Sequence, residues 1–132
     1  MNWQLTIIVS NKAIIAGGSL GGLMTGIVMK AIGVDAHIYE RSAKVLDDRG
    51  AGIVMQAETK TLLTQYAGLS PEQTGVQLKY RQYLNRMGTP DIYQEMPQLM
   101  TSWGLMYRAL RGVSPTRITR TLSRRAFSAL SF

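Results

Sequence analysis

The run Lys12-Ala-Ile-Ile-Ala16 is apolar after its first residue and stops at two glycines, the pattern of a short buried strand meeting a tight turn. From Leu20 to Ile32 the residues Leu20, Leu23, Met24, Ile27, Val28 and Ala31 recur at three- and four-residue spacing, which predicts a helix with one buried face. Gly33 stands where such a helix is capped. Ala36-His-Ile-Tyr39 reads as a second short strand, closed by Glu40-Arg41. A strand, helix and strand of these lengths make a parallel crossover, which strand twist renders right-handed. The expected fold class is α/β, with residues 12–16 as a central strand parallel to residues 36–39.

Further on, residues 43–52 are polar and loop-like, and Ile53-Val-Met55 is a short apolar piece. Residues 58–66 carry helical spacing through Thr61, Leu62, Gln65 and Tyr66, and Ala67-Gly-Leu-Ser-Pro71 is turn chemistry. Alternation over residues 76–94, through Val76, Leu78, Tyr80 and Ile92-Tyr93, predicts an antiparallel hairpin turning at Asn85–Pro90. Residues 102–112 predict another helix, with Trp103, Met106, Tyr107 and Leu110 on one face.

At 132 residues, with 45% apolar and 17% charged, the chain suits one globular domain and is unlike a disordered one. It has no cysteine, which excludes disulfides, thiolate metal sites and a cysteine nucleophile. Its apolar runs are strand-sized, well short of the ~20 residues that span a bilayer. No Lys or Arg precedes the first apolar stretch, as a secretory signal would require, so a cytoplasmic protein is expected. The net charge of +7 suggests nucleic acid until it is mapped. Residues 1–95 hold nine Lys/Arg against eight Asp/Glu, whereas residues 96–132 hold six arginines and no acid. The basicity belongs to the last quarter, and neither nucleic acid nor a membrane is an expected partner.

The candidate chemistry lies in the turn after the first strand. Gly17-Gly18-Ser19-Leu20-Gly21-Gly22 is a Gly-x-Gly-x-x-Gly pattern with Ser19 in the middle glycine slot. Gly26, Met29, Gly33, Ala36 and Glu40 follow Gly22 at intervals of four, three, four, three and four residues, a more specific register than the short pattern alone. Gly17 permits the tight turn, Gly22 and Gly26 let the helix lie close on the sheet, and the helix N-terminus offers free N–H groups to a pyrophosphate. The Ser19 hydroxyl is expected to donate to phosphate where a glycine would let backbone approach. Glu40, 18 residues past Gly22, is placed to accept hydrogen bonds from both ribose hydroxyls of an adenosine, which disfavours a 2′-phosphate. The alternative is a merely structural glycine turn with a solvated strand-end acid. Arg49, after Asp47-Asp48 in a glycine-flanked loop, can offer a planar fork to phosphate or pair with those acids. His37, inside the second strand, is expected to be structural, and no metal-ligand spacing exists.

Ala-Gly-Gly-Ser-Leu-Gly-Gly-Leu at 16–23, Ile-Tyr-Glu-Arg-Ser at 38–42 and Asp-Arg-Gly-Ala-Gly-Ile at 48–53 resemble the FAD-dependent aromatic hydroxylases of the para-hydroxybenzoate hydroxylase class, with the Gly-Gly-Ser variant similar to the dihydroxypyridine hydroxylase branch. The resemblance runs from about Lys12 to Arg111. It implies a Rossmann-type FAD-binding half-domain over residues 12–111, between an N-terminal extension (1–11) and a basic, unstructured or non-homologous tail (112–132). By resemblance, Gly17, Gly18, Ser19, Leu20, Gly21, Gly22, Glu40 and Arg41 hold the ADP part of FAD, Arg49 and Gly50 contact the phosphates and ribityl region, and Gln56 and Arg108 approach the cofactor. The family uses NAD(P)H as electron donor and an aromatic small molecule as substrate. Its late Gly-Asp segment and substrate-covering sheet have no counterpart here, and the Ser/Thr/Arg-rich text after Arg111 departs from its pattern, which suggests a truncated or frameshifted, catalytically incomplete chain. A module that holds an adenine dinucleotide without chemistry, and a basic-tailed interaction protein, remain the competing readings.

Overall fold

A computed structural model describes residues 11–42, 50 and 52–120, and the chain forms two compact units. The first comprises Met1–Ala43 with Ser114–Phe132, and the second Lys44–Val113.

In the first unit, β1 (Lys12–Ala16), α1 (Leu20–Ala31) and β2 (Asp35–Glu40) form the expected crossover. β1 and β2 are parallel, with Lys12 beside Asp35 and Ala16 beside Tyr39. α1 packs by Leu23, Gly26 and Ile27, which are buried against a sheet face that includes the fully buried Ile38. Each large aliphatic side chain enclosed there contributes roughly 1.5–3 kcal/mol of transfer free energy. Gly33 (φ +82°) ends the helix in a Schellman arrangement, its N–H donating to the Lys30 carbonyl and the Val34 N–H to that of Met29.

Two expectations fail in this unit. Among the described residues β1 stands at the edge of the sheet and not at its centre, because the strand order is β1-β2-β6. It is also only half covered: Ala13 and Ile15 are partly buried, while Lys12, Ile14 and Ala16 are exposed. Position within a sheet depends on distant partners, and here the third strand, β6 (Ile118–Arg120), joins β2 in parallel and places β2 in the middle. Those three residues lie in the stretch read from sequence as a basic, unstructured or non-homologous tail (112–132). Thr116, just before them, is buried against Gly26.

The second unit holds an antiparallel sheet in the order β3-β5-β4, from β3 (Gly52–Val54), β4 (Val76–Leu84) and β5 (Pro90–Ser102). The hairpin turns where expected, with the Asn85 carboxamide oxygen accepting from the Met87 and Thr89 amides. β5 runs eight residues beyond the predicted hairpin, to Ser102. Pro97 hides that extension in the sequence, since proline donates nothing to a ladder; the register shifts across this stretch, where Leu78 faces Gln98 but Tyr80 faces Glu95. α2 (Ala57–Thr61) passes into a π-helical turn at Leu62–Ala67, whose i→i+5 bonding puts more residues in each turn; the buried position is Leu63, and Thr61, Gln65 and Tyr66 are exposed. A 3₁₀ turn at Pro71–Thr74 leads into β4. α3 (Trp103–Val113) buries Met106, Tyr107 and Leu110, as its spacing predicts.

Candidate functional site

The glycine segment joins the end of β1 to the start of α1, at the same edge as the end of β2. Gly17 has φ +106°, a backbone state that side chains resist, and its N–H donates to the Tyr39 carbonyl at 2.7 Å. Ser19 is the N-cap of α1, extended at φ −75° and exposed, and its side chain makes no capping hydrogen bond. The first intrahelical bond runs from the Leu23 N–H to the Ser19 carbonyl at 3.0 Å, so the amides of Leu20, Gly21 and Gly22 have no intrahelical partner. No acid lies in the first turn of α1 to cancel the positive end of its dipole.

An open cavity of about 260 Å³ adjoins this turn, lined by Ala16, Gly17, Tyr39, Glu40 and Arg41. Register explains the composition of its wall: pairing Ala16 with Tyr39 brings Glu40 beside the glycine turn. Glu40 is half-buried. One carboxylate oxygen accepts from the Gly18 N–H and the other from the Ser42 N–H, each at 2.7 Å. A carboxylate has about four lone-pair positions, so acceptor capacity remains for hydroxyl groups in the cavity. The Tyr39 ring stacks on His37 at 4.7 Å between centroids, and His37 Nε2 pairs with the Thr119 hydroxyl at 2.7 Å. The histidine thus has the structural role expected of it.

The glycines differ in what they permit. A Cβ on Gly22 would overlap the Gly17 carbonyl oxygen, and one on Gly26 would press on the Thr116 hydroxyl and Ile38, whereas one on Gly21 would meet nothing within 4 Å. Gly22 and Gly26 therefore serve the close approach of helix and sheet, and Gly21 leaves open space at the helix start. That combination of free amides, unfilled space and a strand-end acid fits a phosphate-linked ribose. It brings together Gly17, Gly18, Ser19, Leu20, Gly21, Gly22, Glu40 and Arg41.

The remaining candidates belong to the second unit. Arg49 lies outside the described residues. Gly50 has φ +96° and packs under Trp103, whose side-chain atoms would stand 2.7–3.2 Å from an added Cβ; Trp103 itself stacks on Tyr107 at 5.0 Å. Gln56 is the exposed N-cap of α2, and Arg108 is exposed on α3. Sequence reasoning missed Tyr39 as a cavity wall and the bond from Gly18 to Glu40. The parallel register of the two strands was the available signal for both.

Among the described residues no group of three or more His, Cys, Asp or Glu side chains could hold a metal, and no helix is long and apolar enough to cross a membrane.

No family model matches the chain. Over 49 residues it is 39% identical to 2,6-dihydroxypyridine 3-monooxygenase of Paenarthrobacter nicotinovorans, a stretch covering 37% of this chain and 12% of that protein. The solved 2,6-dihydroxypyridine-3-hydroxylase of Arthrobacter nicotinovorans superposes with a TM-score of 0.71 at 24% identity, over 86% of this chain and 29% of that one. The chain resembles the N-terminal part of the FAD-dependent aromatic monooxygenases. The tetrameric form of 2-methyl-3-hydroxypyridine-5-carboxylic acid oxygenase gives a TM-score of 0.71 at 19% identity, over 84% of this chain and 31% of that one. A protein of Photorhabdus luminescens subsp. laumondii TTO1 assigned as an FAD-containing monooxygenase gives 0.65 at 20%, over 84% and 30%. The chain thus spans about three tenths of the length of these solved structures.

Proposed function

We propose that this chain binds the ADP portion of FAD at the junction of β1, α1 and β2, as the first part of an FAD-dependent monooxygenase acting on an aromatic ring. The observation that carries the reading is the position of Glu40 beside the Gly17–Gly22 turn, with the unpartnered amides of α1 on one side and the cavity on the other. The pyrophosphate is held by the Leu20 and Gly21 amides and the Ser19 hydroxyl, a geometry favoured by the positive end of the helix. Glu40 accepts from the ribose hydroxyls, and Arg41 stands at the rim of the same cavity. Gly17 shapes the turn, while Gly18 acts through Glu40, because its N–H already points there. Arg49, Gly50, Gln56 and Arg108 are assigned to the flavin end by resemblance.

Bound and reduced, the flavin supplies activation of O₂, and the protein positions the reactants and excludes water. That chemistry, the aromatic substrate, NAD(P)H as donor and a cytoplasmic setting are assigned to the whole protein of which this chain resembles one part. Purified protein titrated calorimetrically with ADP and with FAD should show saturable binding, and protein reconstituted with FAD should keep the flavin absorbance bands after gel filtration. Absence of both ADP and FAD binding in folded protein overturns the reading.

A further inference from the structure

The Glu40 carboxylate joins two stretches of backbone just past the last bond between β1 and β2, the one from the Gly17 N–H to the Tyr39 carbonyl. One oxygen takes the Gly18 N–H, in the middle of the turn between β1 and α1; the other takes the Ser42 N–H, just past the end of β2. Both bonds are 2.7 Å long, short for an amide donor and typical of a charged acceptor. The contact is close along the side chain as well: a Cβ on Gly18 would lie 3.1 Å from the Glu40 Cβ and 3.5 Å from its bonded oxygen. Gly18 sits between Gly17, whose positive φ makes the turn, and Ser19, the N-cap that starts α1. Holding the Gly18 amide therefore fixes the direction from which the helix start presents its free N–H groups.

We infer that Glu40 is a positioning residue for the phosphate cradle as well as a ribose acceptor: its carboxylate clamps the glycine turn into the shape that binds the pyrophosphate. This inference rests on the nucleotide reading above, and a ligand without a ribose separates the two roles. Inorganic pyrophosphate cannot use a ribose acceptor. If Glu40 did nothing but face the ribose, removing its negative charge would strengthen pyrophosphate binding, since like charges repel. If Glu40 holds the turn, Glu40→Ala weakens pyrophosphate binding despite the lost repulsion. The two accounts differ in sign.

The test is calorimetric titration of wild type and Glu40→Ala with ADP and with inorganic pyrophosphate, with circular dichroism melts to show that both proteins are folded. The clamp predicts that Glu40→Ala loses roughly threefold to tenfold in pyrophosphate affinity, the equivalent of less than one charge-assisted hydrogen bond after the relieved repulsion. In the amide spectrum of the wild-type protein the Gly18 N–H should also be slow to exchange, and fast in the variant. Should Glu40→Ala not fold, Glu40→Gln carries the same test, because it keeps the side-chain shape, loses the charge, and can accept from only one of the two amides. Pyrophosphate affinity equal to or above wild type in a folded variant, with ADP still bound by wild type, overturns the clamp alone. Wild type that binds neither ADP nor pyrophosphate overturns the nucleotide reading and the clamp with it.

Discussion

The Cα of Gly22 faces the carbonyl oxygen of Gly17 with no room for a side chain between them, while one residue earlier the Cα of Gly21 faces open space. Two neighbouring glycines in one helical turn thus have opposite tolerances. Gly22→Ala forces α1 away from β1, and overpacking of this kind costs about 1–3 kcal/mol or more. Gly21→Ala meets nothing and gains roughly 0.5–1 kcal/mol, because alanine loses less backbone freedom than glycine on entering a helix. Urea unfolding of the two variants measures both. Equal effects would show that the turn is not as tight as the overlap with Gly17 implies.

Thr116 is 5% exposed, and its hydroxyl has no hydrogen-bond partner among the described residues. A buried polar group left in that state costs about 1–3 kcal/mol, and valine has nearly the same shape without the hydroxyl. Thr116→Val should therefore raise the urea midpoint, with a gain of about 1 kcal/mol or somewhat more. Gly26→Ala should act in the opposite direction, because its Cβ would stand 3.0 Å from the Thr116 hydroxyl and 3.1 Å from the Ile38 Cδ1. A Thr116→Val protein less stable than wild type would mean that the hydroxyl makes a bond in solution.

The glycine spacing made β1, α1 and β2 legible because each position answers a local demand: a positive φ at Gly17, contact at Gly22 and Gly26, a cap at Gly33. The hairpin was legible for the same reason, through Asn85 and the alternation on either side. Edge or centre is a different kind of fact. It depends on which strand arrives from elsewhere in the chain, and Ile118–Arg120 carries no period that would announce a strand. The π-helical turn after α2 likewise breaks the 3.6-residue rhythm from which the buried face was inferred. At the site, Glu40 and the glycines were visible as residue types, but the bond between Glu40 and Gly18 follows only once the parallel register is known.

Glu72, in the first turn of the 3₁₀ segment, accepts a 2.6 Å hydrogen bond from the Ser70 hydroxyl. That bond first and the Glu72 backbone amide second hold its carboxyl below the usual carboxylate value; desolvation opposes them more weakly, and the Lys60 charge adds the smallest lowering effect. Because the folded-state value is the lower one, the bond contributes to stability at neutral pH, and the contribution is lost as pH falls through the carboxylate range and past the folded value. Ser70→Ala removes the largest cause and should move the Glu72 titration, followed by side-chain carboxyl NMR, upward toward the usual value. A titration that stays put would show the Ser70 contact to be incidental in solution.

Glu40 also decides which nucleotide the cavity prefers, and this separates its ribose role from its hold on the glycine turn. A carboxylate accepting ribose hydroxyl bonds gains about 1.5–3 kcal/mol as a charged acceptor, whereas a phosphate at the same place is repelled. ADP and its 2′-phosphorylated counterpart carry the same diphosphate, so any loosening of the turn in Glu40→Ala affects both and cancels in their ratio. Wild type should prefer ADP, and the variant should lose that preference by about tenfold to a hundredfold, at ~1.4 kcal/mol per decade. Within that ratio, ADP affinity falls further than affinity for the 2′-phosphorylated ligand, because the loosened turn weakens both while the lost carboxylate removes a ribose acceptor from one and a repulsion from the other. Competition calorimetry with both ligands on both proteins gives the ratio directly. A wild type that prefers the 2′-phosphorylated ligand, or a variant that loses affinity for both in equal measure, would show that the ribose hydroxyls do not meet Glu40.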